Sequence, residues 1–105
     1  MEKTLETLYT PTDREKDALS NLDQDDVIAV GPWAKGEGSM PHRAVIRDLG
    51  DKFVVHTQIV GESNAFYEQG NYVPKLDGYN ALEVAIASFN DRIRRHHNLL
   101  IFTRQ

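Results

Sequence analysis

The chain has no cysteine. That excludes a disulfide framework and thiolate chemistry, and it suits a reducing cytosol, so a cytoplasmic location is expected. No apolar run approaches the ~20 residues needed to span a bilayer, and the first residues offer no apolar stretch suited to a signal peptide, so neither membrane insertion nor export is expected. Positive charge is in short supply: 12 Lys and Arg against 16 Asp and Glu leave a net charge of −4. Nothing therefore draws the chain as a whole to nucleic acid or to an anionic membrane. Large apolar anchors are scarce too, with one tryptophan and two methionines.

Signature motifs are missing as well. No G-x-x-x-x-G-K-[ST] run and no G-x-G-x-x-G opening a helix is present, so a nucleotide cofactor is not expected. The four histidines, His42, His56, His96 and His97, show no zinc spacing. His96 and His97 are adjacent and would point about 100° apart on a helix, so they cannot chelate together. No G-x-S-x-G elbow is present, and His56, Glu68, Ser39 and Ser63 have no spacing that argues for a catalytic constellation. The reading is of a non-enzymatic chain without metal or cofactor, with a small hydrolase as the distant alternative.

What is present organises around residues 80–97. Leu82, Ile86, Phe89 and Ile93 recur at i, i+4, i+7 and i+11, the spacing of one helix face, with Ala85 inside the stripe and Glu83, Asn90, Asp91 and Arg94 opposite. Asn80 and Glu83 read as a capping box, with Tyr79 and Val84 placed as a staple. Arg94, Arg95, His96 and His97 put cations at the helix end, and Asn98 is the expected left-handed stop.

Ahead of this helix lie four strand candidates, Val27–Val30, Arg43–Asp48, Phe53–Val60 and Ala65–Val73. Val27–Val30 is apolar throughout, as for a strand covered on both faces or an end tucked under a loop. Leu49–Lys52 and Gly61–Asn64 read as hairpin turns, Gly50 being the position that needs positive φ. In Phe53–Val60 the core face is Phe53, Val55, Thr57 and Ile59, with Val54, His56, Gln58 and Val60 on the other. Gly70 is the natural bulge position in the fourth strand, and Pro74 closes it. Residues 3–9 lean to an edge strand, and Thr12 with Glu15 opens a short helix to about Asn21. Leu99–Phe102 suits an extra edge strand or a homodimer contact. The fold class is α+β: a single domain over 1–105, a four- to five-stranded antiparallel meander packed on one face by a long C-terminal helix, with a short N-terminal helix.

Charge is unevenly distributed. Residues 1–26 hold three bases against eight acids, a balance of −5, whereas residues 79–105 hold four arginines against two acids, a balance of +2. The expected use is intramolecular, with the acidic first third near the basic last third.

The order helix, strands, helix resembles a double-stranded-RNA-binding domain, but the last helix opens Asn80-Ala81-Leu82-Glu83 where such domains carry a basic cluster. Gly70 to Tyr72 followed by Ala85 to Phe89 is similar to WGR domains, whose W-G-R triplet is missing. No family follows from either.

The longest irregular segment is 31–42, GPWAKGEGSMPH, and loops of this length in compact domains are often functional. It offers Trp33 and Met40 as apolar anchors, with Lys35 and His42 as a polar rim. The alternative for Trp33 is a lid on the core. Beside the loop, Arg43, Arg47 and His56 share a sheet face with Gln58 and Tyr67. The expectation is a small binding protein that docks on a protein partner and inhibits or modulates it, through Trp33, Lys35, Met40, His42, Arg43, Arg47 and His56. Short, acidic, motif-poor chains of this build resemble phage and mobile-element accessory proteins in type. The alternative is nucleic-acid binding by the exposed sheet face.

Overall fold

The computed structural model describes residues 12–14, 26–35, 40–61 and 64–103, the last seven as backbone alone. Among these residues, five antiparallel strands, β1 (Val27–Val30), β2 (His42–Asp48), β3 (Lys52–Val60), β4 (Ala65–Tyr67) and β5 (Asn71–Pro74), precede the long helix α1 (Ala81–Thr103). The sheet runs β1-β2-β3-β4, and β5 pairs with β3 as well. This is the meander with a C-terminal helix that the sequence predicts. The predicted strand over 3–9 and the helix from Thr12 to Asn21 fall outside the described residues, apart from helical Asp13 and Arg14.

Local chemistry accounts for the strand boundaries. Gly50 sits at φ 98 in the tight β2–β3 connection, a backbone region that costs residues with a Cβ about 1–2 kcal/mol. The Asp48 carboxylate accepts from the Gly50 N–H at 3.0 Å and fixes the turn from inside. β4 and β5 are one strand interrupted. Tyr67 pairs with Gln58 and Asn71 with Val55, so residues 68–70 bulge past His56 and Thr57. The bulge falls at Gly70 as expected, for a reason the sequence does not display. A Cβ there would overlap the Val55 carbonyl oxygen and lie 2.8 Å from His56 Nδ1.

The two faces of β3 divide as predicted. Toward α1 lie Ile46, Phe53, Val55, Val73, Ala81 and Ala85, with Ala29 and Phe89 packed against them. Away from it, Val60 and Ala65 pack with Trp33. Val45, Val54 and Gln58 on that second face are fully buried, so both sides of the sheet are interior.

Three expectations need correction. First, α1 does not seat itself through Leu82 and Ile86. Its buried positions are Ala81, Ala85 and Arg92, while Leu82 is 43% and Ile86 42% exposed. The pattern gave the apolar arc but not its centre: the helix turns its small side chains inward so that its backbone lies close to the sheet, and Leu82 and Ile86 end on the flank. Ile93, on that same flank, covers Gly31, where a Cβ would sit 3.0 Å from its Cδ1.

Second, Asn98 does not stop the helix. No non-glycine residue among those described has positive φ, and α1 runs on to Thr103. Leu99–Phe102 is therefore helical, not a strand. Asn98 costs a helix only tenths of a kcal/mol, and the next residues include strong helix formers with no glycine or proline to interrupt them. The predicted cap at the other end is present, with the Glu83 N–H donating to Asn80 Oδ1 at 3.1 Å.

Third, β1 is not covered on both faces. Its burial alternates, leaving Ile28 and Val30 exposed, as suits the end strand of the sheet path. Its register with β2 shifts between Val27 and Ala29, a bulge of the kind that blunts an edge.

Candidate functional site

The 31–42 segment is less irregular than its composition suggests. Ala34 and His42 exchange two backbone hydrogen bonds of 2.8 Å, and the Gly31 N–H donates to the Ala44 carbonyl, so the β1–β2 pairing extends into the segment. Residues 36–39, the glycine-rich apex, lie outside those described. Trp33 is half-buried on Val60 and Ala65, with the Arg43 guanidinium 4.4 Å over its ring. Met40 and Lys35 are exposed.

Arg43, Arg47 and His56 do share the face away from α1, together with Gln58 and Tyr67, and the structure joins them to neighbours. Arg43 Nε donates to Gln58 Oε1 at 2.7 Å. Arg47 makes a two-pronged pair with Asp26, at 2.9 and 2.7 Å, and lies 4.7 Å over Tyr67. This pair holds the Asp26 carboxyl below its usual range, the hydrogen bond being the larger cause. His56 is buried and stacks on Tyr67 at 4.9 Å. Its Nδ1 lies 2.8 Å from the Glu68 carbonyl, which only accepts, so Nδ1 carries the proton and Nε2 the lone pair. Burial lowers its proton affinity.

His42 goes to the opposite side and meets residues that sequence reasoning did not connect with it. On the α1 face an open cleft of about 270 Å³ is lined by His42, Thr57, Ile59, Glu68, Arg92, Arg95 and His96. Three elements and one irregularity build it. His42 begins β2 opposite Ile59 of β3, and Thr57 lies two residues earlier on the same face. Glu68 is available because the bulge interrupts the strand there. Arg92, Arg95 and His96 fall at i, i+3 and i+4 on α1, one helix face.

The polar groups form a chain. Arg92, only 8% exposed, donates from Nη1 to Thr57 Oγ1 at 2.9 Å and to Glu68 Oε1 at 2.7 Å. Thr57 Oγ1, accepting from Arg92, lies within hydrogen-bond distance of His96 Nε2, at 3.2 Å, with both its proton and a second lone pair to share. His42 Nδ1 donates to the Met40 carbonyl at 2.8 Å, and the His42 and His96 rings meet edge to face at 4.7 Å. Burial, then the neighbouring His42, Arg92 and Arg95, push the His96 pKa down to about 4. His96 is therefore a neutral member of this cleft at pH 7 and not the helix-end cation its position near four basic residues suggests. Its position also differs from the expectation, since α1 runs on to Thr103 and leaves His96 well short of the helix terminus.

The spacing Arg92-x-x-Arg95-His96 was the available signal. It was hidden because the apolar stripe was centred on Leu82 and Ile86 rather than on Ala85 and Arg92. No group of three or more His, Asp or Glu side chains suited to a metal occurs among the described residues.

A second surface stands beside the cleft's polar chemistry. Leu76, Tyr79, Leu82 and Ile86 are exposed in succession through the turn before α1 and along its first two turns. No helix among the described residues is long and apolar enough to cross a membrane. No family model, curated protein or solved structure matches the chain.

Proposed function

We propose that the chain is a small, non-enzymatic binding protein that docks on a protein partner and inhibits or modulates it, using the apolar stripe Tyr79, Leu82 and Ile86. The observation that carries this reading is that both Leu82 and Ile86, spaced for one helix face, stand more than two-fifths exposed on a well-capped helix. A folded domain leaves large aliphatic side chains contiguous on one helix flank at a cost in solubility, and such stripes are the usual anchors of helix-mediated recognition. Leu76 extends the surface at one end. Trp33 and Arg43 contribute less to such docking, because they already pack on each other and on the sheet. The phage and mobile-element accessory type remains the analogy for a protein of this size and charge.

Nucleic-acid binding by the sheet draws less support, since Arg43 and Arg47 are committed to Gln58 and Asp26 and lie half-buried among aromatic rings.

The test is affinity capture from the source cells with the wild-type chain and with Leu82→Glu/Ile86→Glu, followed by a binding titration against each captured protein. Because both side chains are largely exposed, the double variant should stay folded and should weaken binding of the partner at least ~100-fold. A partner bound equally well by both chains would refute the stripe as the docking surface.

A further inference from the structure

The α1-facing cleft gathers hydrogen-bond donors beyond those its own acceptors use. Arg92 is nine-tenths buried, yet both its hydrogen bonds use Nη1, and its Nε is a buried donor with no partner. A guanidinium offers five N–H donors, so a buried one that spends so few of them holds the rest in reserve. Arg95 lines the same cleft, and its ion pair to Asp91 at 3.1 Å is made through Nε. His96 lines the cleft as a neutral imidazole, with one N–H and one lone pair. The carboxylate that lines the cleft, Glu68, is spent on Arg92 and is itself 44% exposed at the side chain.

We infer that this cleft binds a phosphate group, with Arg92 and Arg95 as its charged donors and His96 as a neutral one. Planar guanidinium forks match the paired oxygens of phosphate, and a partly desolvated site strengthens each charge-assisted bond. A cavity of about 270 Å³ holds a phosphate with room for a small group attached to it, but not a drug-sized ligand. Burial is the main cause of the suppressed protonation of His96, and the neighbouring His42, Arg92 and Arg95 add positive potential in the same direction. An anion placed among Arg92, Arg95, His42 and His96, with Glu68 as the opposing acid and Thr57 neutral, relieves that potential.

The experiment is a titration of the full chain with inorganic phosphate, followed by amide and histidine-ring NMR at fixed pH 7 and ionic strength. Saturable shifts should appear at Thr57, Arg92 and His96. Two variants that leave the buried Arg92 in place give the decisive signs. Arg95→Gln, at an exposed position, should weaken binding about fivefold, the value of one partly screened charge. Glu68→Gln keeps an acceptor for Arg92 while removing the competing negative charge, and should tighten binding by a similar factor. Phenyl phosphate, run in parallel, separates the sources: tighter binding than inorganic phosphate assigns the cleft to a phosphate ester, and equal binding assigns it to the free ion. Absence of saturation up to ~50 mM, or identical affinities for wild type and both variants, would overturn the assignment.

Discussion

Replacing Gly70 by alanine tests the tightest backbone contact among the described glycines. The residue does not have positive φ, so an added methyl would ordinarily stabilise by about 0.4–1 kcal/mol through a stiffer unfolded chain. Here the methyl would overlap the Val55 carbonyl oxygen, which belongs to the central strand β3 and cannot move without disturbing it. Overpacking of this kind costs about 1–3 kcal/mol. The same methyl would press on His56 Nδ1 at 2.8 Å and displace it from the Glu68 carbonyl, adding about 1 kcal/mol for a buried donor left unmade. The net expectation is a loss of about 2–3 kcal/mol, a large share of the 5–15 kcal/mol typical of a domain. Guanidinium denaturation with an unchanged slope would measure it. Gly50→Ala is the comparison: nothing lies within 4 Å of its added carbon, so its cost of about 1–2 kcal/mol comes from φ 98 alone. A loss below about 1 kcal/mol at Gly70 would show that β5 does not approach β3 in this way.

Two further outcomes are expected. The His96 pKa of about 4 lies below the unfolded value near 6.5, so the unfolded chain takes up the proton first and stability falls as pH drops through this window. Between pH 7.5 and 5 the loss should be about 1–2 kcal/mol after allowance for partial exposure, and His96→Gln should flatten it in thermal melts. Buried His56 acts with the same sign, whereas Asp26 and Asp48, whose pKa values are lowered, contribute stability that disappears only below about pH 4. The seating of α1 is tested by size: Ala85→Leu, at a fully buried position, should cost about 1–3 kcal/mol or more, and Leu82→Ala below about 1 kcal/mol. The reverse ranking in urea denaturation would mean that the helix packs through Leu82 after all.

The sheet order, both hairpin turns, the division of β3 into two faces and the cap at Asn80 were legible because each is encoded locally, in alternation, a glycine or a side-chain acceptor. The rotation of α1 was not. Leu82, Ile86, Phe89 and Ile93 look like the core face to any measure of hydrophobicity, and close approach through Ala81 and Ala85 depends on the opposing strands. Arg92 figured only in the positive balance of residues 79–105, since a lone sequence does not show a partner such as Glu68, 24 residues away, at a strand break. The cleft was illegible for the same reason: His42, Thr57 and His96 come from three elements, and only the assembled register brings them together. Trp33 was visible as a large apolar side chain, but its contacts with Arg43, the residue just after the loop, and with Val60 depend on the assembled sheet.

The interrupted strand between β4 and β5 has a mechanical consequence. An unbroken strand sends each side chain to one face and keeps its carbonyls in the ladder, so the two sides of a sheet communicate poorly. Glu68 escapes that constraint. Its carbonyl props the His56 ring on one side, while its carboxylate reaches Arg92 on the other. A single residue thus has a contact on each face of the sheet: its backbone carbonyl holds the His56 ring with its stacked Tyr67, and its side chain closes on the buried Arg92.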